Sequence, residues 1–182
     1  MHLFRDGSRL ERFTYHLAKW TAVAGGVALL AMIAIVILSI IGRSFIWAGL
    51  KPILGDYELV GVGVGFAAFA FVPWAHFERG HAVVSILTDL FGDRVNAIIL
   101  AITDLMMLMA GSFIAWRMFD GMLDKLRFHE TTLLLRLPLG WAYGVCLIGA
   151  IVLVPVSAFL FARSVGYAIE GKREPHRGGD TW

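Results

Sequence analysis

The sequence is short of charge. Only 16% of its 182 residues are Asp, Glu, Lys or Arg, against about 25% in a soluble domain. Together with a hydrophobic share of 58%, that shortage excludes an ordinary water-solvated surface and points to lipid as the solvent. Cysteine is almost missing: the single Cys146 excludes an internal disulfide and any Cys-based metal cluster, and it lies in an apolar run as a small hydrophobe. A net charge of +2 is too small to point to nucleic acid. No histidine falls in the middle of an apolar run, since His2, His16, His76, His81, His129 and His176 lie at ends or in loops. A haem-carrying membrane anchor, whose axial ligands project into its bundle, is thereby weakened. There is no nucleophile–base arrangement, zinc motif or phosphate loop, and no room for a soluble catalytic domain, so an enzyme is not expected. Nor is there a pair of interrupted helices of the kind that lines the path of a stand-alone carrier.

What the sequence has is four apolar runs long enough to cross a bilayer, which takes about 20 residues at 1.5 Å each. They cover 20–41, 57–74, 95–116 and 138–163. The predicted fold is an all-α integral membrane domain over 20–163, with a basic segment (1–19) before it and a polar tail (164–182) after it. The first run resembles a signal peptide in having a basic start, but its core exceeds the roughly 7–15 residues of such segments and no small-residue cleavage site follows. It reads as a retained span. Between runs two and three, residues 82–91 are too short to cross. Ser85, Thr88 and Asp89 share one face and apolar residues cover the rest, which predicts an amphipathic helix on the membrane surface. Beyond Trp116, apolar residues keep a helical spacing, so the third helix is expected to continue out of the membrane. Pro138 suits a helix start, and Pro155 predicts a kink.

Four spans place both ends on one side. Arg5, Arg9, Arg12, Lys19, Arg79, Arg94, Arg163, Lys172, Arg173 and Arg177 fall there, against Arg43, Lys51, Arg117, Lys125, Arg127 and Arg136 on the other. The excess of positive charge inside predicts cytoplasmic termini.

Few residues stand out as sites. Asp104 is the ionisable residue set well inside a span, where a charge is expensive and must face protein or water. It reads either as an ion or proton site or as a polar tie to a neighbouring helix, in this chain or in a partner. Arg43 closes the first run and Glu58 opens the second, so the two could pair across the first hairpin or each meet a partner. Gly61 and Gly65, four residues apart, predict a close helix approach. His81 reads as a polar contact in its loop, and Trp141 as an interfacial aromatic near the start of the fourth run.

Several segments, in order, resemble the DctQ-like family, the small membrane subunits of tripartite ATP-independent periplasmic (TRAP) transporters. These are Arg43-Ser44-Phe45 at the end of run one, Glu58 at the start of run two, and Gly80-His81-Ala82-Val83-Val84 before the short surface helix. Thr131-Thr132 through Leu137-Pro138-Leu139-Gly140-Trp141-Ala142-Tyr143 leads into run four. The resemblance covers roughly residues 20–163. It implies a four-helix subunit of the bacterial inner membrane, without cofactor of its own, bound to a large multi-span subunit that holds the substrate and sodium sites. A soluble periplasmic protein would deliver an organic acid to the pair, and this chain would enlarge the static scaffold. Two other readings stand beside it: the membrane anchor of a redox complex, and a small autonomous transporter using Asp104.

Overall fold

Each apolar run becomes a helix. The computed structural model of the chain describes residues 9–78 and 93–170. Helix α1 spans Arg9–Ser44, α2 Asp56–Phe77, α3 Asp93–Arg127 and α4 Leu139–Glu170. All four are long and apolar enough to cross a membrane. The expected surface helix at 82–91, and His81 with it, lie outside the described residues. Three of the helices outrun the apolar stretches that announce them. α1 begins inside the basic segment, α3 continues past Trp116 to Arg127, and α4 runs on past Arg163. Apolarity marks where lipid is, whereas helical hydrogen bonds continue as long as the residues tolerate them.

The helices form two hairpins, α1–α2 and α3–α4, joined through α4. The most extensive packing is α3 on α4, followed by α1 on α2, then α4 on α2 and, more lightly, on α1. α4 is therefore the hub, and half of its most apolar window is buried, against 11% for α1 and 17% for α3. α4 continues through Pro155 and α2 through Pro73.

The buried seams follow small and polar residues. On α1 the buried positions include Glu11, Ala18, Gly25 and Ser39, with Thr14 and Gly42 each three residues beyond one of them. On α3 they are Ala97, Asp104 and Gly111, seven apart. On α2 Gly63, Ala67, Ala70, Pro73, His76 and Phe77 are buried. A repeat of seven keeps one face of a helix on its neighbour. With lipid outside, large apolar side chains gain nothing by turning inward, and small ones let backbones approach. The exposed large residues, such as Val27, Leu30, Ile37, Ile102, Met106 and Phe113, point away from the seams.

Gly61 and Gly65 lie in different surroundings. A side chain at Gly61 would meet nothing of this chain within 4 Å, whereas Gly65 lies against α4, where a Cβ would stand 3.3 Å from the Cys146 Sγ. A still closer approach occurs at Gly149. A Cβ on Gly149 would lie 2.6 Å from the Phe69 carbonyl carbon, so α4 and α2 touch there nearly backbone to backbone. In a helix made largely of Gly, Ala and Val, small residues four apart occur on several faces, and Gly63-x-x-x-Ala67 matches as well as Gly61-x-x-x-Gly65 does.

Candidate functional site

The polar groups gather at the two ends of the bundle. At the end holding the start of α1, all four helices contribute. Asp104 of α3 has no solvent exposure. The hydroxyl of Ser164 on α4 donates a short hydrogen bond to its Oδ2, and His76 Nε2 on α2 stands 3.8 Å from its Oδ1. One residue before Ser164, the Arg163 guanidinium donates to Glu11 Oε1 of α1 at 3.4 Å, with both side chains buried. A hydrophobic cluster of Ala18, Phe77, Val152, Val156, Phe159 and Leu160 packs beside Tyr15, Leu17 and Trp74. Tyr15 meets Trp74 and Phe77 edge to face, with centroids 5.2 and 5.7 Å apart. A buried charge is tolerated where hydrogen bonds and a counter-charge replace water, and this arrangement supplies both. Asp104 thus meets helices of its own chain.

The opposite end is organised by Glu58. The expected Arg43–Glu58 ion pair does not form. The Glu58 carboxylate accepts instead the backbone N–H of Leu134 at 2.8 Å and of Leu135 at 3.0 Å, 76 and 77 residues along the chain. Arg43 is exposed and lends its charge to the neighbourhood of Asp56. Asp56 in turn accepts from Ser39 Oγ at 2.6 Å and from the N–H of Tyr57 at 2.8 Å, which fastens α1 to the first turn of α2. Residues 130–139 close into a tight loop: the N–H of Leu139 donates to the Glu130 carbonyl, that of Thr132 to Leu137, and that of Leu137 to Thr132 Oγ1. Gly55 has φ 76°, which favours glycine, and a Cβ there would also strike Leu135, whose Cγ would be 2.5 Å away. Lys125 and Glu130 pair at 2.6 Å beside the loop. Trp141, in the first turn of α4, is 72% exposed.

Sequence reasoning singled out Asp104 and Glu58 but not their partners. Glu11, His76 and Arg163 resemble ordinary flanking residues of a span, and Ser164 an ordinary small residue. The signal that does exist is periodic: Glu11 lies on the seven-residue seam of Ala18 and Gly25. Among the described residues no three His, Cys, Asp or Glu side chains form a metal-ligand group. An apolar groove of about 300 Å³ lies between α3 and α4, lined by Ile98, Ile102, Leu105, Phe161, Val165 and Ile169 among others. Among the described residues, the polar groups at both ends tie helices together.

No curated protein and no solved structure matches the chain. The family model for the DctQ component of tripartite ATP-independent periplasmic transporters matches residues 32–166. That match takes in the last part of α1, all of α2 and α3 and most of α4, with the Glu58 clamp, Asp104 and the loop before α4, and the chain belongs to the DctQ family, the small membrane component of TRAP transporters.

Proposed function

We propose that this subunit is a non-catalytic scaffold and anchor for the large transport subunit of a sodium-coupled, binding-protein-dependent carrier of organic acids. The observation that carries this reading is the division of its surface. Asp104, Glu11, Arg163 and Glu58 are engaged in ties between helices or between helix and loop, while within the apolar runs 20–41 and 95–116 the outward faces of α1 and α3 are almost wholly apolar side chains. A polar solute needs polar groups converging near the midplane. This chain directs its membrane-embedded carboxylate at its own serine and histidine. Substrate and sodium sites then belong to the large subunit, and the soluble periplasmic protein reaches this chain through the complex. The charge distribution favours the bacterial inner membrane with both termini cytoplasmic.

Co-expression with the large subunit tests the reading: a tagged chain should retain its partner through detergent extraction, and the pair should transport. Asp104→Asn should leave sodium dependence unchanged. Loss of sodium coupling in that variant, with the complex intact, would favour an ion site at Asp104. A haem absorption band in the purified subunit would favour a redox anchor.

A further inference from the structure

The depth of the loop before α4 is fixed by the shortest helix. α2 has 22 residues, and its uncharged stretch from Leu59 to Ala75 rises about 26 Å. That is slightly less than the roughly 30 Å hydrocarbon thickness. A crossing helix with no spare length holds its first charged residues at the hydrocarbon edge, so Glu58 sits there. Its carboxylate grips the Leu134 and Leu135 amides at 2.8 and 3.0 Å, which places the loop tip at the same depth.

The tip is apolar on its outer side. Leu135 turns inward against Gly55, but Leu133 is 88% and Leu134 53% exposed, and Leu54, next to Gly55, is 75% exposed. Bare leucines along the sides of a membrane helix need no explanation. In loops at the water boundary they mark a surface with a partner. Trp47, Tyr57 and Trp141 are exposed at the same end, as in the aromatic belts of membrane interfaces. The neighbouring charges show what kind of partner fits. Lys51 and Arg136 are exposed and form no ion pair among the described residues. Three carboxylates at this end are occupied: Asp56 by Ser39 and the Tyr57 N–H, Glu58 by the loop amides, Glu130 by Lys125. Leucines flanked by free cations suit phospholipid, with acyl chains below and phosphates above.

We propose that the loops 45–55 and 128–138 form a phospholipid-binding surface, with Leu54, Leu133 and Leu134 set into the acyl boundary and Lys51 and Arg136 on headgroup phosphates. This inference needs only that α2 crosses the bilayer, and it stands or falls apart from the transporter reading.

Nitroxide depth measurements test it in the complex with the large subunit, reconstituted in phosphatidylethanolamine–phosphatidylglycerol bilayers. Cys146→Ala removes the native thiol. Labels are then placed through Leu133→Cys, Arg127→Cys as the aqueous reference, and Ile102→Cys as the reference within the membrane. At position 133 oxygen collisions should exceed those of a water-soluble nickel chelate, at a depth between the references. Chelate access equal to that at 127 overturns the proposal, because the loop then stands in water. Shielding from both reagents also overturns it, because protein then covers the tip. In the same bilayers Lys51→Glu with Arg136→Glu should reduce the preference for spin-labelled phosphatidylglycerol over phosphatidylcholine, and an unchanged ratio removes the phosphate contact.

Discussion

Glu11 and Arg163 meet at 3.4 Å with both side chains buried, so removing one takes a counter-charge from the other in a buried setting. Removing one partner of such a pair typically costs about 3–5 kcal/mol, whereas replacing both by apolar groups is far milder. Arg163→Met is therefore expected to lower the thermal midpoint of the detergent-solubilised subunit sharply, and adding Glu11→Leu should restore much of the loss. If the double variant is as unstable as the single one, the pair is not the reason for the loss. Asp104 behaves differently, because the hydroxyl of Ser164 that donates to it is neutral. Asp104→Asn still offers Ser164 an oxygen and should change stability by no more than about 1 kcal/mol. Asp104→Leu takes that acceptor away from a buried hydroxyl and should cost about 1–3 kcal/mol. Equal losses in the two variants, measured by the same melting assay, would contradict this account. Asp104 was legible in the sequence because a carboxylate among apolar neighbours stands out. Arg163 and His76 were not, because a charged or polar residue at the end of an apolar run looks like an ordinary boundary, and only packing reveals that it turns inward.

At the scale of elements, the four helices could be read from hydropathy alone, since a run long enough to span needs no knowledge of its neighbours. Which faces pack could not be read that way. Apolarity distinguishes protein interior from water, but not protein interior from lipid, so the seams appear only as a seven-residue spacing of small and polar residues such as Ala97, Asp104 and Gly111. The glycine pattern is ambiguous for the same reason, since Gly65 lies against Cys146 of α4 while Gly61 meets no atom of this chain within 4 Å. Gly61→Ala should therefore be silent in size-exclusion behaviour and melting, while Gly149→Leu, which would drive a side chain into the Phe69 backbone, should part α4 from α2 and cause aggregation or loss of expression. The opposite ranking would mean that the α2–α4 contact is misassigned. Glu58 was found as the opening residue of its span, but its partners lie 76 residues away and are backbone amides, for which a sequence carries no side-chain signal. Glu58→Ala should release the loop, seen as faster amide exchange at Leu134 and Leu135 than in the parent. Protection that survives the substitution would show that the loop's own hydrogen bonds suffice.

At the scale of the whole molecule, the order of packing fits the proposed supporting role. α4 sits between α3 and the α1–α2 hairpin, so α1 and α3 each keep a broad apolar flank. Lipid alone can cover such flanks, and a large membrane partner can cover them equally well, because association within a bilayer rests on packing rather than on removing apolar surface from water. The polar ties at the two ends hold the helices in fixed relation, as the proposed static support would require. The account rests on this chain having no path of its own for a polar solute. The most direct measurement is solute uptake into proteoliposomes under a sodium gradient, with the binding protein and its substrate supplied. The subunit alone should give no accumulation, and uptake should appear when the large subunit is added. Accumulation against a gradient by the subunit alone would contradict the account.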